Sequence, residues 1–177
     1  MSVDSKLPGA TEPKVETTEK LVTTKVGDEG TTSLGIHGFV PKSDARVELM
    51  GGLDLLRAHS HRLTGKPHWM ETMLTDMMVS MVRVHDIHHE DRLREMEDAI
   101  GRMRSNVVFS STGWFSPVNE PSRDWDFFRA LVRQVERNSW RVYNENEKKE
   151  RYKEMAQMLN RLSDYAFLTS MWHAQQT

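Results

Sequence analysis

The sequence predicts an all-α protein, in which an extended N-terminal arm precedes a bundle of three to five helices, two of them long. Apolar residues recur at steps of three and four over most of residues 43–177, the spacing of a helix with one buried face. Residues 1–35 contain seven Thr and no aromatic residue, a composition that buries too little apolar surface to fold alone. We therefore divide the chain into an extended or disordered arm with a short anchor, residues 1–42, and a helical domain, residues 43–177.

The anchor is the motif IHGFVPK at residues 36–42. Gly38 and Pro41 interrupt any regular structure there. Because Ile36 and Phe39 are large apolar side chains in a segment too short to form a core, we expect them to fill a hydrophobic site on this chain or on another.

The first helix is predicted to begin near Ser43 or Asp44, either of which can serve as its N-cap. Two adjacent glycines, Gly51 and Gly52, cost about 2 kcal/mol relative to alanine inside a helix. We therefore expect a break or kink at this point. The helix should end at Gly65, which suits the left-handed C′ position.

A second helix is predicted from about Pro67 to about Arg102, with a methionine-rich face that we expect to pack in the core or against another helix. A loop follows over residues 104–121. The last third of the chain is helical again. The polar run NENEKKER, residues 144–151, interrupts its apolar pattern, so we favour two helices with a turn there over one helix of about 50 residues.

Several large apolar residues do not fit these helix faces. Trp114 and Phe115 lie in the polar loop, where they cap the bundle or anchor an interface. Near the C-terminus, one helix face cannot hold both the apolar seam and the residues beside it, so the second set is expected to meet another subunit. The predicted partner-binding residues are Ile36, Phe39, Trp114, Phe115, Tyr165, Phe167, Leu168 and Trp172.

The histidine cluster His85, His88 and His89 is the most metal-like feature of the sequence. On a helix, His85 and His89 would lie on one face and could reach one ion. However, the order HDIHH lacks the glutamate of the HExxH motif, and the two ExxH motifs of a di-iron bundle are absent. We therefore predict no metal and no cofactor.

Composition and missing motifs exclude several classes of function. The chain has no cysteine, and GxSxG, Walker A and GxGxxG motifs do not occur. Its net charge is −2 with acids and bases interleaved, so nucleic acid is not expected as a main partner. It has neither an apolar run long enough to span a membrane nor an N-terminal secretory signal. These observations predict a protein without catalytic residues, located in a virion or the cytoplasm.

The predicted function is that of a structural component of a large assembly, such as a bacteriophage head, neck or tail protein. Its partners would be other subunits, in a homo- or hetero-oligomer held by the N-terminal arm and the C-terminal helix. Two alternatives stay open: an accessory helical subunit of an oligomeric enzyme, and a metal-binding helical protein that uses His85 and His89.

Two short stretches, LGIHGFVP at residues 34–41 and KPHWME at residues 66–71, resemble parts of the helical N-terminal region of nitrile hydratase β subunits. The resemblance covers about 14 residues, the spacing between the stretches differs, and methionines replace the aromatic residues of that family's helix. It implies a non-catalytic subunit of an enzyme complex, the first of the two alternatives, and no site residue is transferred from it.

Overall fold

The helices of this protein run antiparallel to their sequence neighbours, after a short β-hairpin. The computed structural model describes residues 25–65, 68–109, 114–146 and 149–176. Within these residues, the elements are β1 (Thr31–Ser33), β2 (Phe39–Pro41), α1 (Ala45–Thr64), α2 (Trp69–Val82), α3 (His89–Arg104), α4 (Glu120–Glu145) and α5 (Glu150–Ala174). The predicted all-α class is confirmed, with α4 and α5 as the two longest helices.

The bundle has two ends that differ in what they carry. At one end, which we call the hairpin end, α1 begins, α2 ends and the chain turns from α4 into α5. Arg151 of α5 donates to the carbonyl oxygen of Ser80 near the end of α2, at 2.7 Å. At the other end, which we call the loop end, residues 105–109 and 114–119 meet the end of α5, where Asn119 donates to the carbonyl oxygen of His173 at 2.8 Å.

The core is built around the antiparallel pair α4 and α5. Two buried hydroxyls fasten this pair: Ser139 donates to the carbonyl oxygen of Tyr152, and Ser170 donates to that of Ser122, each at 2.6 Å. The methionine-rich face of α2 packs into the same core, as expected. The fully buried methionines include Met70, Met73, Met77 and Met81 of α2, Met96 of α3 and Met155 of α5.

Helix α1 begins and ends where the sequence indicates. The Asp44 carboxylate accepts from the backbone N–H of Arg46 at 2.8 Å, and Gly65 adopts the left-handed conformation with φ 65°. The predicted break at Gly51 and Gly52 is wrong. A Cβ atom at Gly52 would lie 2.8 Å from Val135 Cγ2, so glycine is present here to let α1 approach α4, and the helix continues through it.

The predicted single helix from Pro67 to Arg102 is also wrong, because the chain leaves the helix at Arg83 and resumes it at His89. Ile87 in the link is buried, so it continues the apolar period without being helical. His88 has a left-handed backbone (φ 50°), which redirects the chain into α3. Pro67 itself lies outside the described residues.

The C-terminal third divides as predicted. Helix α4 ends at Glu145 with Asn146 as its C-cap, and α5 begins at Glu150. A capping box between Asn119 and Ser122 starts α4, since each side chain bonds the other's backbone N–H. None of the described helices is long and apolar enough to span a bilayer.

The described part of the predicted arm is more ordered than the sequence indicates. Strands β1 and β2 pair antiparallel, with Thr32 opposite Val40, and Leu34 and Val40 are buried. Gly35 lies so close to the end of α2 that a Cβ atom there would meet the Val82 carbonyl oxygen at 2.0 Å. Residues 31–41 therefore pack on the chain's own helices, whereas residues 1–24 lie outside the described residues. The domain boundary at residue 42 stays a prediction.

Candidate active site

A glycine-rich turn at the hairpin end precedes β1. The N–H of Asp28 donates to the carbonyl oxygen of Lys25 at 3.1 Å, and the N–H of Gly30 donates to that of Gly27 at 3.2 Å. Lys25 and Gly30 have positive φ values of 55° and 77°. The N–H groups of Asp28 and Gly30 are therefore both used within these consecutive turns. We call residues 25–30 the glycine turn.

Lys42 lies across the glycine turn. Its backbone N–H donates to the carbonyl oxygen of Gly30 at 2.8 Å, and a Cβ atom at Gly27 would lie 3.1 Å from Lys42 Nζ. The ammonium group has no ion pair with any other described residue. The free ammonium group of Lys42 is therefore the donor that this segment offers to a phosphate.

More positive charge surrounds His37, between β1 and β2. Burial, and then the charges of Arg46, Lys149 and Arg151, lower the pKa of His37. Arg46 is itself paired with Asp44 at 2.7 Å, and hydrogen bonds from Arg46 hold the pKa of that carboxyl below its usual value. Three cations and one carboxylate, that of Asp44, therefore act on His37, so positive charge predominates around it.

Four arginines form a row along α4. Arg129, Arg133, Arg137 and Arg141 follow one another at four-residue steps, so they lie along one side of the helix. Arg129 is paired with Asp126 at 2.8 Å, and Arg141 is paired with Glu48 at 2.5 Å. Arg133 and Arg137 are exposed and have no ion pair among the described residues. These two free guanidinium groups could bind phosphate oxygens.

An aromatic cleft of about 360 Å³ opens toward the loop end. Trp114, Phe115 and Phe167 line it, together with Asp126 and Arg129. The rings of Phe115 and Phe167 meet edge to face with centroids 5.7 Å apart, while Trp114 is fully exposed. Arg129 therefore belongs both to the cleft and to the arginine row.

The eight predicted partner-binding residues do not form one surface. Trp114, Phe115 and Phe167 meet at the aromatic cleft, whereas Ile36 and Phe39 are exposed on the hairpin. The other three belong to α5 and lie in or beside this chain's own core. Tyr165 packs on Trp69 and Trp125, Leu168 is only 4% exposed, and Trp172 is half-buried against His173.

The histidine cluster does not form a metal site in the described part of the chain, where no three His, Asp or Glu side chains come together to hold an ion. Instead, Asp76 of α2 accepts from Arg92 at 3.4 Å and lies 3.2 Å from His85 Nε2. Through Asp76, these two contacts connect α2 to the link at His85 and to α3 at Arg92.

The comparison with family models decides the family. The model described as cobalamin adenosyltransferase matches residues 22–173, which includes the glycine turn, the aromatic cleft and all the helices except the last residue of α5. This chain belongs to the cobalamin adenosyltransferase family. No significant match to a curated protein is found.

Solved structures support the same fold. A variant of a PduO-type ATP:corrinoid adenosyltransferase from Lactobacillus reuteri, complexed with cobalamin and ATP, superposes with a TM-score of 0.76 and 19% identity. That similarity covers 87% of this chain and 91% of the other. A second variant of that protein, complexed with ATP, gives a TM-score of 0.75 at 19% identity and covers 86% and 95% of the two chains.

Membership in the cobalamin adenosyltransferase family corrects the predicted function. The predictions of a virion component and of a protein that is not an enzyme are both wrong, because this is a family of enzymes. The two alternatives, an accessory subunit and a metal-binding protein, are replaced by the same finding. Phage subunits are therefore not the partners, and a virion location has no support, while assembly into an oligomer is consistent with the fold.

The sequence analysis missed the charged residues of the candidate site. The four-residue spacing of Arg129, Arg133, Arg137 and Arg141 is visible in the sequence, but the sequence analysis assigned these arginines no role. The glycines at 27 and 30 match no standard phosphate-loop motif. Only the folded chain shows that Lys42 returns across that turn.

Proposed function

We propose that this protein is an ATP:corrinoid adenosyltransferase, which transfers the 5′-deoxyadenosyl group of ATP to the cobalt of a corrinoid. The observation that carries the proposal is the continuity of two unlike sites through Arg129. On one side of it lies an aromatic cleft, and on the other a row of free guanidinium groups. These sites match a large flat macrocycle and a polyphosphate, respectively.

The aromatic cleft supplies the corrinoid site in this proposal. The ring system of a corrinoid is broad and largely apolar on its faces, so it binds against aromatic side chains. Phe115 and Phe167 provide a preformed wall, since their rings already contact each other. Trp114 is fully exposed in the free chain and would lose its contact with water when the macrocycle binds.

The glycine turn and the arginine row supply the ATP site. The bond that forms joins cobalt to C5′ of the ribose, and the bond that breaks joins C5′ to the triphosphate, which leaves with the electron pair. Lys42, Arg133 and Arg137 would bind the triphosphate and stabilise the charge that grows on it as it leaves. The nucleophile is the Co(I) of the reduced corrinoid, which supplies the electron pair of the new bond and becomes formally Co(III), so no activated Ser, Cys or His is required.

Within one copy, the glycine turn and the aromatic cleft lie too far apart to share one molecule of ATP. The glycine turn is at the hairpin end, whereas Arg129 and the aromatic cleft lie about 24 Å along α4 from Glu145. The triphosphate of ATP is bonded directly to C5′, so it must lie beside the corrinoid. We therefore infer that the active site forms between the glycine turn of one copy and the arginine row and cleft of another, in a homo-oligomer.

The activity is tested by incubating the protein anaerobically with ATP and reduced cobalamin and following adenosylcobalamin by its absorption spectrum. We expect conversion that requires both substrates. A variant carrying Arg133→Gln and Arg137→Gln should lose at least about 100-fold in kcat/KM, since each lost charged hydrogen bond costs about 1.5–3 kcal/mol.

The matched control is Arg94→Gln, which removes an exposed arginine of α3 paired with Asp91 at 3.6 Å. This variant should keep the activity of the unmodified protein. Absence of conversion, together with absence of ATP and corrinoid binding, would overturn the proposed function.

A further inference from the structure

One ion pair lies in the wall of the aromatic cleft. Asp126 and Arg129 line it beside Trp114, Phe115 and Phe167, and both charged side chains are 30% exposed. The faces of a corrin ring need apolar walls, which the three aromatic side chains supply. A charged pair has no role against those faces. The groups that it binds must therefore lie at the edge of the ring, where the polar arms of a corrinoid are attached.

The ion pair has hydrogen-bonding capacity left over. Arg129 Nε donates to Asp126 Oδ1 at 2.8 Å, and neither side chain has another hydrogen bond among the described residues. This leaves Asp126 Oδ2 as an acceptor and the two terminal nitrogens of Arg129 as donors. Because the residues are three apart on α4, the free acceptor and the free donors lie side by side.

We propose that Asp126 and Arg129 form a subsite that recognises a carboxamide arm of the corrinoid and discriminates against a carboxylate arm. The proposal rests on the proposed function. A primary amide carries an N–H₂ donor and a C=O acceptor, which complement the free carboxylate oxygen and the free guanidinium nitrogens. A carboxylate arm has no donor for Asp126 and would place a second negative charge beside it, which is unfavourable.

The pairing with Asp126 also separates Arg129 from the rest of the arginine row. Arg133 and Arg137 form no ion pair with any described residue, so their guanidinium groups stay available to an anion. The charge of Arg129 is offset by the Asp126 carboxylate, whose Oδ1 lies 2.8 Å from Arg129 Nε. Arg129 therefore suits a neutral polar group better than a phosphate. This difference assigns Arg129 to the corrinoid rather than to ATP.

The test uses two corrinoids that differ only in their ring arms: cobyrinic acid, whose arms are carboxylates, and its fully amidated form. Equilibrium dialysis against the full chain, followed by the visible absorbance of the corrinoid, gives both dissociation constants without ATP. The unmodified protein should prefer the amidated form. Asp126→Asn should shift the ratio of the two constants toward the acid by about 10-fold, because it leaves Arg129 unopposed.

Arg129→Gln should shift the same ratio in the opposite direction, because Asp126 then faces the ligand alone. A merely structural role for the pair would not give shifts of opposite sign. The matched control is Asp124→Asn, which removes a carboxylate on α4 that is outside the cleft and 3.5 Å from Arg62, and which should leave the ratio unchanged.

The results separate this proposal from the proposed function. If the unmodified protein binds both corrinoids and the ratio is unchanged in both cleft variants, the amide subsite is wrong and the corrinoid site stands. The same conclusion applies if both variants, or the Asp124 control, shift the ratio in one direction. If the unmodified protein binds neither corrinoid, both proposals are wrong.

Discussion

The two ends of the bundle carry candidate sites of different kinds. At the hairpin end, the candidate site consists of backbone turns and one free ammonium group, with glycine where a side chain would crowd Lys42. At the loop end, aromatic rings of a loop and of α5 form a cleft, and its only charged lining residues in the described chain are Asp126 and Arg129. A polyphosphate needs point charges and N–H groups, whereas a macrocycle needs flat apolar surface.

This comparison predicts that the two proposed substrate sites can be changed separately. Helices α4 and α5 connect the ends and form the core, but neither candidate site depends on a side chain from the other end of the same copy. A substitution at one end should therefore change the binding of one substrate, and a substitution between the ends should change stability alone.

The largest expected effect is at the hairpin end. Lys42→Ala should weaken ATP binding by about 10- to 100-fold, because it removes a charged hydrogen bond to phosphate. Corrinoid binding measured by equilibrium dialysis without ATP should stay the same. Lys153→Ala, which removes an exposed lysine paired with Glu150, is the matched control and should change neither affinity. A parallel loss of corrinoid binding in the Lys42 variant would contradict the separation of the ends.

A smaller effect is expected between the ends, at the adjacent glycines of α1. Gly52→Ala should lower the free energy of unfolding by about 1–3 kcal/mol, because its Cβ would meet Val135 Cγ2 at 2.8 Å. Gly51→Ala points into open space and should raise it by about 0.5–1 kcal/mol through helix propensity. Urea denaturation of the two variants measures both changes. Equal effects at the two positions would mean that α1 does not approach α4 as closely as described.

At the loop end, Phe167→Ala should weaken corrinoid binding by about 10-fold, since it removes part of an aromatic wall worth about 1–2 kcal/mol. Tyr143→Ala is the matched control, because Tyr143 forms an edge-to-face pair with Trp140 at the same 5.7 Å centroid distance as Phe115 and Phe167. Equilibrium dialysis should show a loss of corrinoid affinity only in the Phe167 variant. A similar loss of corrinoid affinity in both variants would contradict the assignment of the cleft as the corrinoid site.

The smallest effect concerns a histidine at each end. Burial is the first cause that lowers the pKa of both His37 and His59. The two imidazoles therefore bind protons more readily in the unfolded chain than in the folded one. The free energy of unfolding falls as the pH drops below about 6.5, and these groups do not change it at higher pH. His59 stacks on Phe128 at 5.7 Å, so His59→Phe should fit and reduce the loss of stability between pH 7 and pH 5, measured by urea denaturation. An unchanged loss in this variant would contradict a burial effect at His59.

The sequence predicts the fold best where helix ends have local causes. Asp44 and Gly65 bound α1 through a side-chain cap and a left-handed glycine, and both are visible in the sequence. The break between α2 and α3 is not visible in the sequence, because the buried Ile87 continues the apolar spacing of a helix although its backbone is not helical. Gly52 was also misread, since its cause is a neighbour, Val135, more than 80 residues away in the sequence.

The candidate site was predicted in part for similar reasons. Trp114, Phe115 and Phe167 stand out in a sequence because large apolar residues away from a helix face need an explanation. They were assigned to a protein partner, since apolar surface alone does not distinguish a subunit from a macrocycle. Lys42 and the arginine row gave no such signal, because exposed Lys and Arg are ordinary surface residues. The absence of a catalytic motif was misleading, as the proposed reaction takes its reacting atoms from the two substrates.

A mixing experiment tests the central claim most directly, that the glycine turn of one copy meets the cleft and arginine row of another. The Lys42→Ala variant and the Arg133→Gln, Arg137→Gln double variant are prepared as separate chains with different tags, mixed, and isolated as oligomers that carry both tags. A mixed oligomer contains some sites with an intact turn from one variant and an intact row from the other. We predict that random mixing restores about a quarter of the activity of the unmodified protein, since sites are shared between copies. Mixed oligomers that form but stay as inactive as their parents would contradict the account.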